Sequence, residues 1–146
     1  MFLDTDFLRD EEIRLVLYDT DPGDERRQWV PSYKFNICDP NGTKMGICDL
    51  RIGHNERVFF GGNIGYEIFE EYRGHHYAAK ACRLLFGLAR KHDMGYVLIA
   101  CNPANIASRK TCEHLGCRFL GEIDLPADHI LRRDGRTKQC VFRVDL

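Results

Sequence analysis

Apolar and polar residues alternate from Glu12 to Asp19, EIRLVLYD, the period of a strand with one buried face. The stretch Asp21 to Ser32, DPGDERRQWVPS, is polar and predicts a connection with room for one helical turn. In YKFNICDPNGTKMGICDLRI, Tyr33, Phe35 and Ile37 alternate. The turn chemistry of Asp39 to Gly42 interrupts them, and Met45, Ile47 and Asp49 resume the pattern. That is the signature of a hairpin. Gly53 to Arg57 predicts a second turn. VFFGGNIGYEIF predicts a further strand region, in which Gly61, Gly62 and Gly65 mark a bulge or a close approach by other backbone.

From Tyr77 to Lys91 the period changes. Tyr77, Ala81, Leu84, Leu85 and Leu88 form one apolar stripe at helical spacing, and Met94-Gly95 closes the helix. YVLIAC, Tyr96 to Cys101, is a continuous apolar run, as in a strand covered on both faces. NPANIASRKTCEHLG predicts a short helix with Asn105 as its cap and Gly116 just past its end. CRFLGEI predicts a strand, DLPADHILRRDGRTKQ a long loop and CVFRVDL a last strand. The order predicts a single α/β domain over residues 1–146. Its sheet is mixed and mostly antiparallel, with a central parallel strand-helix-strand unit.

Composition narrows the classes. The chain has 146 residues, 44% of them hydrophobic, enough for a packed core, and its 29% charged residues leave a formal net charge of -1. That balance gives no hint of a nucleic-acid or membrane surface. No apolar run is long enough to span a bilayer, and the N-terminus MFLDTDFLRDEE lacks the basic start and apolar middle of a signal peptide. The seven cysteines are odd in number, and no two show the C-x-x-C spacing of a zinc or redox site. Most lie in apolar segments, which predicts reduced core thiols in a cytoplasmic protein with no metal site.

The chemistry gathers around EEYRGHHYAAKACRLL, Glu70 to Leu85. A strand runs into Arg73-Gly74, and a helix begins almost at once. A helix N-terminus carries unpaired N–H groups and partial positive charge, and glycine admits a phosphate close to the backbone. The turn by itself fits a phosphate site and fits equally an ordinary connection with Arg73 in solvent. His75 and His76 are adjacent and have no cysteine or carboxylate pattern to complete a metal site.

GYEIFEEYRGHHYAAKACRLL followed by NPANIASRKTCEHLGCRFLGEI resembles the GNAT superfamily of acyl-CoA-dependent N-acetyltransferases. That family's signature is Arg or Gln, two residues, Gly, one residue, then Gly or Ala. Arg73 and Ala78 fill its ends, and His76 replaces the middle glycine. In the later segment Asn105, Ser108, Cys112 and Gly116 stand in register, with Cys117 where an aromatic is common. The resemblance runs from about Gly65 to Ile123 and fades towards the N-terminus. It implies acetyl-CoA as co-substrate, its pyrophosphate on the amides of Arg73, Gly74, His75, His76, Tyr77, Ala78 and Ala79. It implies a pantetheine arm between GYEIF and YVLIAC, hydrogen-bonded near Ile68. It gives Asn105 a place against the arm or as a helix cap. Arg109 and Lys110 meet the phosphates or solvent.

Direct transfer of an acyl group to an amine needs a neutral amine, donors for the oxyanion and a proton for the thiolate. Glu67 is a base candidate or an exposed strand residue, since it alternates with Tyr66 and Ile68. Many relatives carry a tyrosine acid where this chain has Cys112. Ser108, four residues earlier on the same helix face, is the other proton source, with Cys112 also fitting as helix packing. The long loop from Asp124 to Gln139 borders the acceptor side by the same analogy. The acceptor is an amine of a small molecule, an amino acid or a protein N-terminus. A second class stays open, an acyl-CoA-binding or regulatory module without turnover, which His76 and Cys112 favour. The sequence leaves the oligomeric state open, a homodimer included.

Overall fold

Tyr33, Phe35 and Ile37 do what their spacing dictates and lie fully buried on one face of a strand, Ser32–Cys38. The computed structural model describes the backbone of residues 1–146 and every side chain except that of Asp134. In chain order the strands are β1 (Arg14–Asp21), β2 (Ser32–Cys38), β3 (Lys44–Arg51), β4 (Ile64–Ile68), β5 (Tyr96–Cys101), β6 (Arg118–Asp124) and β7 (Lys138–Asp145). The helices are α1 (Glu56–Gly61), α2 (Tyr77–Lys91) and α3 (Ile106–His114). Short 3-10 turns occupy Glu25–Arg27, Glu70–Tyr72 and Ile130–Asp134. The first falls inside the polar connection, and the last lies in what reads as loop. One seven-stranded sheet runs in the order β1-β2-β3-β4-β5-β7-β6. Every neighbouring pair is antiparallel except β4 and β5, which are parallel as the strand-helix-strand reading requires. No helix among the described residues is long and apolar enough to cross a membrane.

Two local expectations are corrected. The region VFFGG is not strand but the helix α1. Asn55 caps it by accepting a hydrogen bond from the Val58 amide at 2.9 Å, and Val58 and Phe60 are buried. The aromatic and β-branched composition favours a strand, but the cap and the packing of the helix outweigh that propensity. Of the three glycines only Gly62 marks a close approach of backbone: a Cβ on Gly61 would meet nothing within 4 Å, and one on Gly65 would meet the Asp49 side chain. Gly62 has φ 81° and ends α1 where a Cβ would sit 2.9 Å from the Ala100 amide nitrogen. In the hairpin, the ladder shifts between Ile37 and Cys38. Cys48 and Leu50 therefore pair with Phe35 and Tyr33 on the buried face, and Ile47 and Asp49 turn to the other.

The core lies between this face and α2. Ala81, Cys82, Leu85 and Leu88 of α2 are fully buried against β2, β3, β4 and β5. Each large apolar side chain so buried contributes about 1.5–3 kcal/mol. The pairing of β4 with β5 is brief, with Ile64 opposite Ile99 as the single registered pair. Asn63, fully buried, fixes that junction. Its amide donates to the Leu98 carbonyl, its Oδ1 accepts from the Leu98 amide, and its Nδ2 donates to the carbonyls of Arg51 and Gly53. Beyond it the facing edges of β4 and β5 have no ladder between them, and the site forms in this gap.

Burial pushes the thiols of Cys48 and Cys82 well above their ordinary range. Such groups stay protonated in the fold, whereas in the unfolded chain they ionise above about pH 8.5. Their folded pKa exceeds the unfolded value, so their contribution is complete below about pH 8.5 and is lost as pH rises. Stability to urea under reducing conditions is expected to fall by roughly 1 kcal/mol per buried thiol per pH unit above that point. Cys117, shifted the other way by its hydrogen bond with Cys112, offsets a part. Unchanged urea midpoints from pH 7.5 to 10 would contradict this.

Candidate active site

The entry to α2 is built for an anion. After Tyr72 the chain turns through Gly74, at φ 91°, and His76, at φ 61°. His76 occupies the cap position but makes no side-chain capping bond, and the first helical hydrogen bond runs from the Lys80 amide to the His76 carbonyl. From Gly74 to Ala79 the backbone amides have no intramolecular acceptor among the described residues. A Cβ placed on Gly74 would meet nothing within 4 Å, so the approach to these amides is open. The His76 ring stacks on that of His114, with ring centroids 4.4 Å apart. Arg73 donates from Nε to the Ile68 carbonyl at 2.9 Å. Its cation is thus fixed at the end of β4 beside the free amides.

This turn forms one wall of a cavity of about 530 Å³, which also includes Glu67, Ile68, Lys110, Thr111 and His114. A second cavity, of about 490 Å³, lies between the β1–β2 connection, α1, the end of β5 and the β6–β7 loop. The two share Tyr66, Asn105 and Ser108. At this crossing Tyr66 Oη and Ser108 Oγ are 2.6 Å apart, a short hydrogen bond in which either oxygen donates. Burial raises the Tyr66 phenol well above its ordinary range, although its bond to Ser108 works against the shift. The phenol therefore keeps its proton across the physiological range. Asn105 caps α3 by accepting from the Ser108 amide, which fixes the serine at the helix start. Two adjoining cavities, one walled by free amides and the other by polar side chains, with a hydroxyl pair in the wall they share, suit transfer of a group from a phosphate-bearing donor to a second substrate.

Comparison with known proteins gives the family. The sequence model for the acetyltransferase (GNAT) domain matches residues 7–118. The chain belongs to the GNAT acetyltransferase family. No curated protein matches it in sequence. Among solved structures it is similar to a GNAT-family acetyltransferase from Bacillus anthracis, with TM-score 0.61 and 15% identity, covering 77% of this chain and 65% of that one. A microcin self-immunity acetyltransferase, in complex with acetyl-CoA and AMP, superposes with TM-score 0.60 and 17% identity, over 79% of this chain and 61% of that one. A ribosomal-protein α-N-acetyltransferase in complex with coenzyme A gives TM-score 0.62 and 18% identity, over 84% and 65%. These likenesses concern the fold. The present chain spans just under two thirds of the length of those proteins.

Within this GNAT domain the residues singled out by sequence fall into groups. Arg73, Gly74, His76, Tyr77, Ala78 and Ile68 line the cavity at the α2 entry, and Asn105 and Ser108 stand at the crossing. The amides of His75 and Ala79 belong to the unpaired run. Glu67 is exposed, alternates with Tyr66, and opens on the α2-side cavity only. The structure does not bring Cys112 to the site. It is fully buried in the core and lines neither cavity. Its hydrogen bond with Cys117, reinforced by burial, holds its thiol far above the ordinary range. Arg109 also leaves the site, donating to the Pro103 carbonyl and lying over the Phe119 ring, whereas Lys110 lines the α2-side cavity. Tyr66 was not singled out by sequence, although its alternation with Ile64 and Ile68 puts it on the inner face. Cys101 is another such residue. Burial raises its thiol, the neighbouring Ser108 works against that shift, and both residues line the second cavity.

Proposed function

We propose that this domain is an N-acetyltransferase that moves an acetyl group from acetyl-CoA directly to a primary amine of a small molecule or a protein N-terminus. The observation that carries the reading is the run of unpaired amides from Gly74 to Ala79, opening on a cavity that meets a second one at Tyr66 and Ser108. The residues present fit acetyl-CoA. The free amides and the α2 N-terminus suit a pyrophosphate, and Arg73 and Lys110 add positive charge. The unpaired edge of β4 offers backbone partners to the pantetheine arm, the Ile68 carbonyl keeping one lone pair beyond its bond to Arg73. Acetyl-CoA brings an activated thioester.

The chain's own groups do the rest. The second cavity admits the amine towards the crossing, so that two substrates meet in one frame and much of the barrier is removed by positioning. Tyr66 donates to Ser108 Oγ, so the serine proton can pass to the leaving sulfur while the phenol proton refills the serine and the proton lost by the amine, carried by water, refills the phenol. In this reading a hydroxyl relay takes the place of the tyrosine that many relatives carry where Cys112 stands, and a module without turnover is the alternative. An amine loses its proton readily once it has attacked, so the base acts through water. Glu67 is reached in that way from the α2-side cavity. The thiols and the co-substrate suit a reducing, cytoplasmic setting.

Acetyl-CoA binding is tested by thermal denaturation. Ligand at about 100 times its dissociation constant is expected to add about 2.7 kcal/mol. No rise in melting temperature at millimolar acetyl-CoA would remove the basis of the proposal.

A further inference from the structure

The acceptor-side cavity carries a local excess of positive charge that the near-neutral chain does not predict. Arg51, Arg57 and Arg136 line it, against the carboxylate of Asp21. These arginines are not equivalent. Arg51 is consumed by structure: it pairs with Asp49 at 3.1 Å and donates to the carbonyls of Gly61 and Gly62. Asp21 is engaged too, its Oδ1 accepting from the Gly23 amide at 2.8 Å. Arg57, on α1, and Arg136, in the β6–β7 loop, have no carboxylate within ion-pair distance and no hydrogen-bonded acceptor among the described residues. They reach the cavity from separate elements, which is how a clamp on a bound group is built. A second observation points to a polar occupant. Gln139, only 3% exposed, lines the same wall with its Oε1 unpartnered. Buried polar atoms are rarely left so unless a ligand or water completes them.

We propose that the acceptor is an amine that also carries an anionic group, a carboxylate or a phosphate, and that Arg57 and Arg136 hold that group while the amine faces Tyr66 and Ser108. Guanidinium pairs bind carboxylate and phosphate through paired, charge-assisted hydrogen bonds, a geometry that a neutral or cationic amine cannot use. The cavity, about 490 Å³, lies in the range of small-molecule sites and also admits the first residues of a peptide. The inference rests on the acetyltransferase reading only for what happens to the amine. The anion subsite stands on the two arginines.

The test is calorimetric binding of matched amines to the protein saturated with coenzyme A, with release of free CoA thiol from acetyl-CoA measured in parallel. Three pairs differ chiefly in one anion: alanine against alaninamide, O-phosphoserine against serine, and a peptide beginning Ser-Asp-Glu against one beginning Ser-Asn-Gln. In at least one pair the anionic member is expected to bind about tenfold or more tightly. The pair that shows it identifies a free amino acid, a phosphorylated amine or an acidic protein N-terminus. The preference should vanish in the Arg57→Ala, Arg136→Ala double variant, whose acetyl-CoA binding should be unaltered because neither residue lines that cavity. Equal binding within all three pairs, or a preference that survives loss of both arginines, overturns the proposal. Selective anion binding with no thiol release from any amine leaves the subsite standing and removes the acetyltransferase reading. Equal binding with thiol release from charged and neutral amines alike does the reverse.

Discussion

Gly74→Asp is expected to reduce acetyl-CoA affinity by two orders of magnitude or more while the protein stays folded. Nothing lies within 4 Å of a Cβ at this position, so the first side-chain atom has room. The backbone at φ 91° does penalise any L residue, by roughly 1–2 kcal/mol. Electrostatic repulsion outweighs that strain. A carboxylate set against a pyrophosphate at about 4 Å repels it by roughly 4 kcal/mol per charge pair at an effective dielectric constant of 20. Gly74→Ala carries the backbone strain without the charge and separates the two effects. It should lower the melting temperature of the free protein about as much as the aspartate does, yet weaken binding far less. Calorimetry of both variants with acetyl-CoA decides it. An aspartate variant that binds like the wild type would mean that the phosphates lie elsewhere.

The second large effect is expected at the crossing. Ser108→Ala and Tyr66→Phe should each lower kcat, with acetyl-CoA affinity little changed, since neither removes an amide of the α2 turn. A positioned general acid is worth about 10²–10⁴-fold, which bounds the loss. Because the hydroxyls form one relay at 2.6 Å, the double variant should lose little more than the worse single one. Separate donors would give losses that multiply. Cys112→Ala should instead act on stability, as a cavity in the core, and leave kcat near wild type. The Tyr66 phenol is raised by burial and keeps its proton, so the relay contributes no alkaline fall in kcat below about pH 10. A fall in kcat on Cys112→Ala in a folded protein, with Ser108→Ala silent, would reverse these roles.

What the sequence revealed follows the range of the interactions involved. The helix from Tyr77 to Lys91 is written in its own periodicity, and the glycine turn before it in local backbone chemistry; both stand where they were read. Asn105 caps α3, and Gly116, at φ 75°, follows its end, again from short-range signals. The parallel pair of β4 and β5 follows from a connectivity rule and was legible too. The losses are at longer range or where packing overrides propensity. The helix α1 looks like strand because Val58, Phe59 and Phe60 favour strands, and its contacts with the sheet, added to the Asn55 cap, make it helical. The Tyr66–Ser108 bond joins residues 42 apart, and no local spacing encodes it. Cys112 matches a family position in the alignment of motifs, yet its burial, a tertiary property, keeps it out of both cavities. The arginine pair of the second cavity likewise comes from α1 and a distant loop, where each alone reads as a solvated charge.

Passage of an acetyl group from one cavity to the other past Tyr66 and Ser108 is open to a direct assay: acetyl-CoA, the purified protein and a panel of amines are mixed, and free CoA thiol is followed together with the acetylated amine. Thiol and acetylated product are expected in equal amounts for at least one amine, at a rate that Ser108→Ala cuts by about 10²-fold or more. Saturable acetyl-CoA binding with no thiol released by any amine would contradict this and make the domain a binding module.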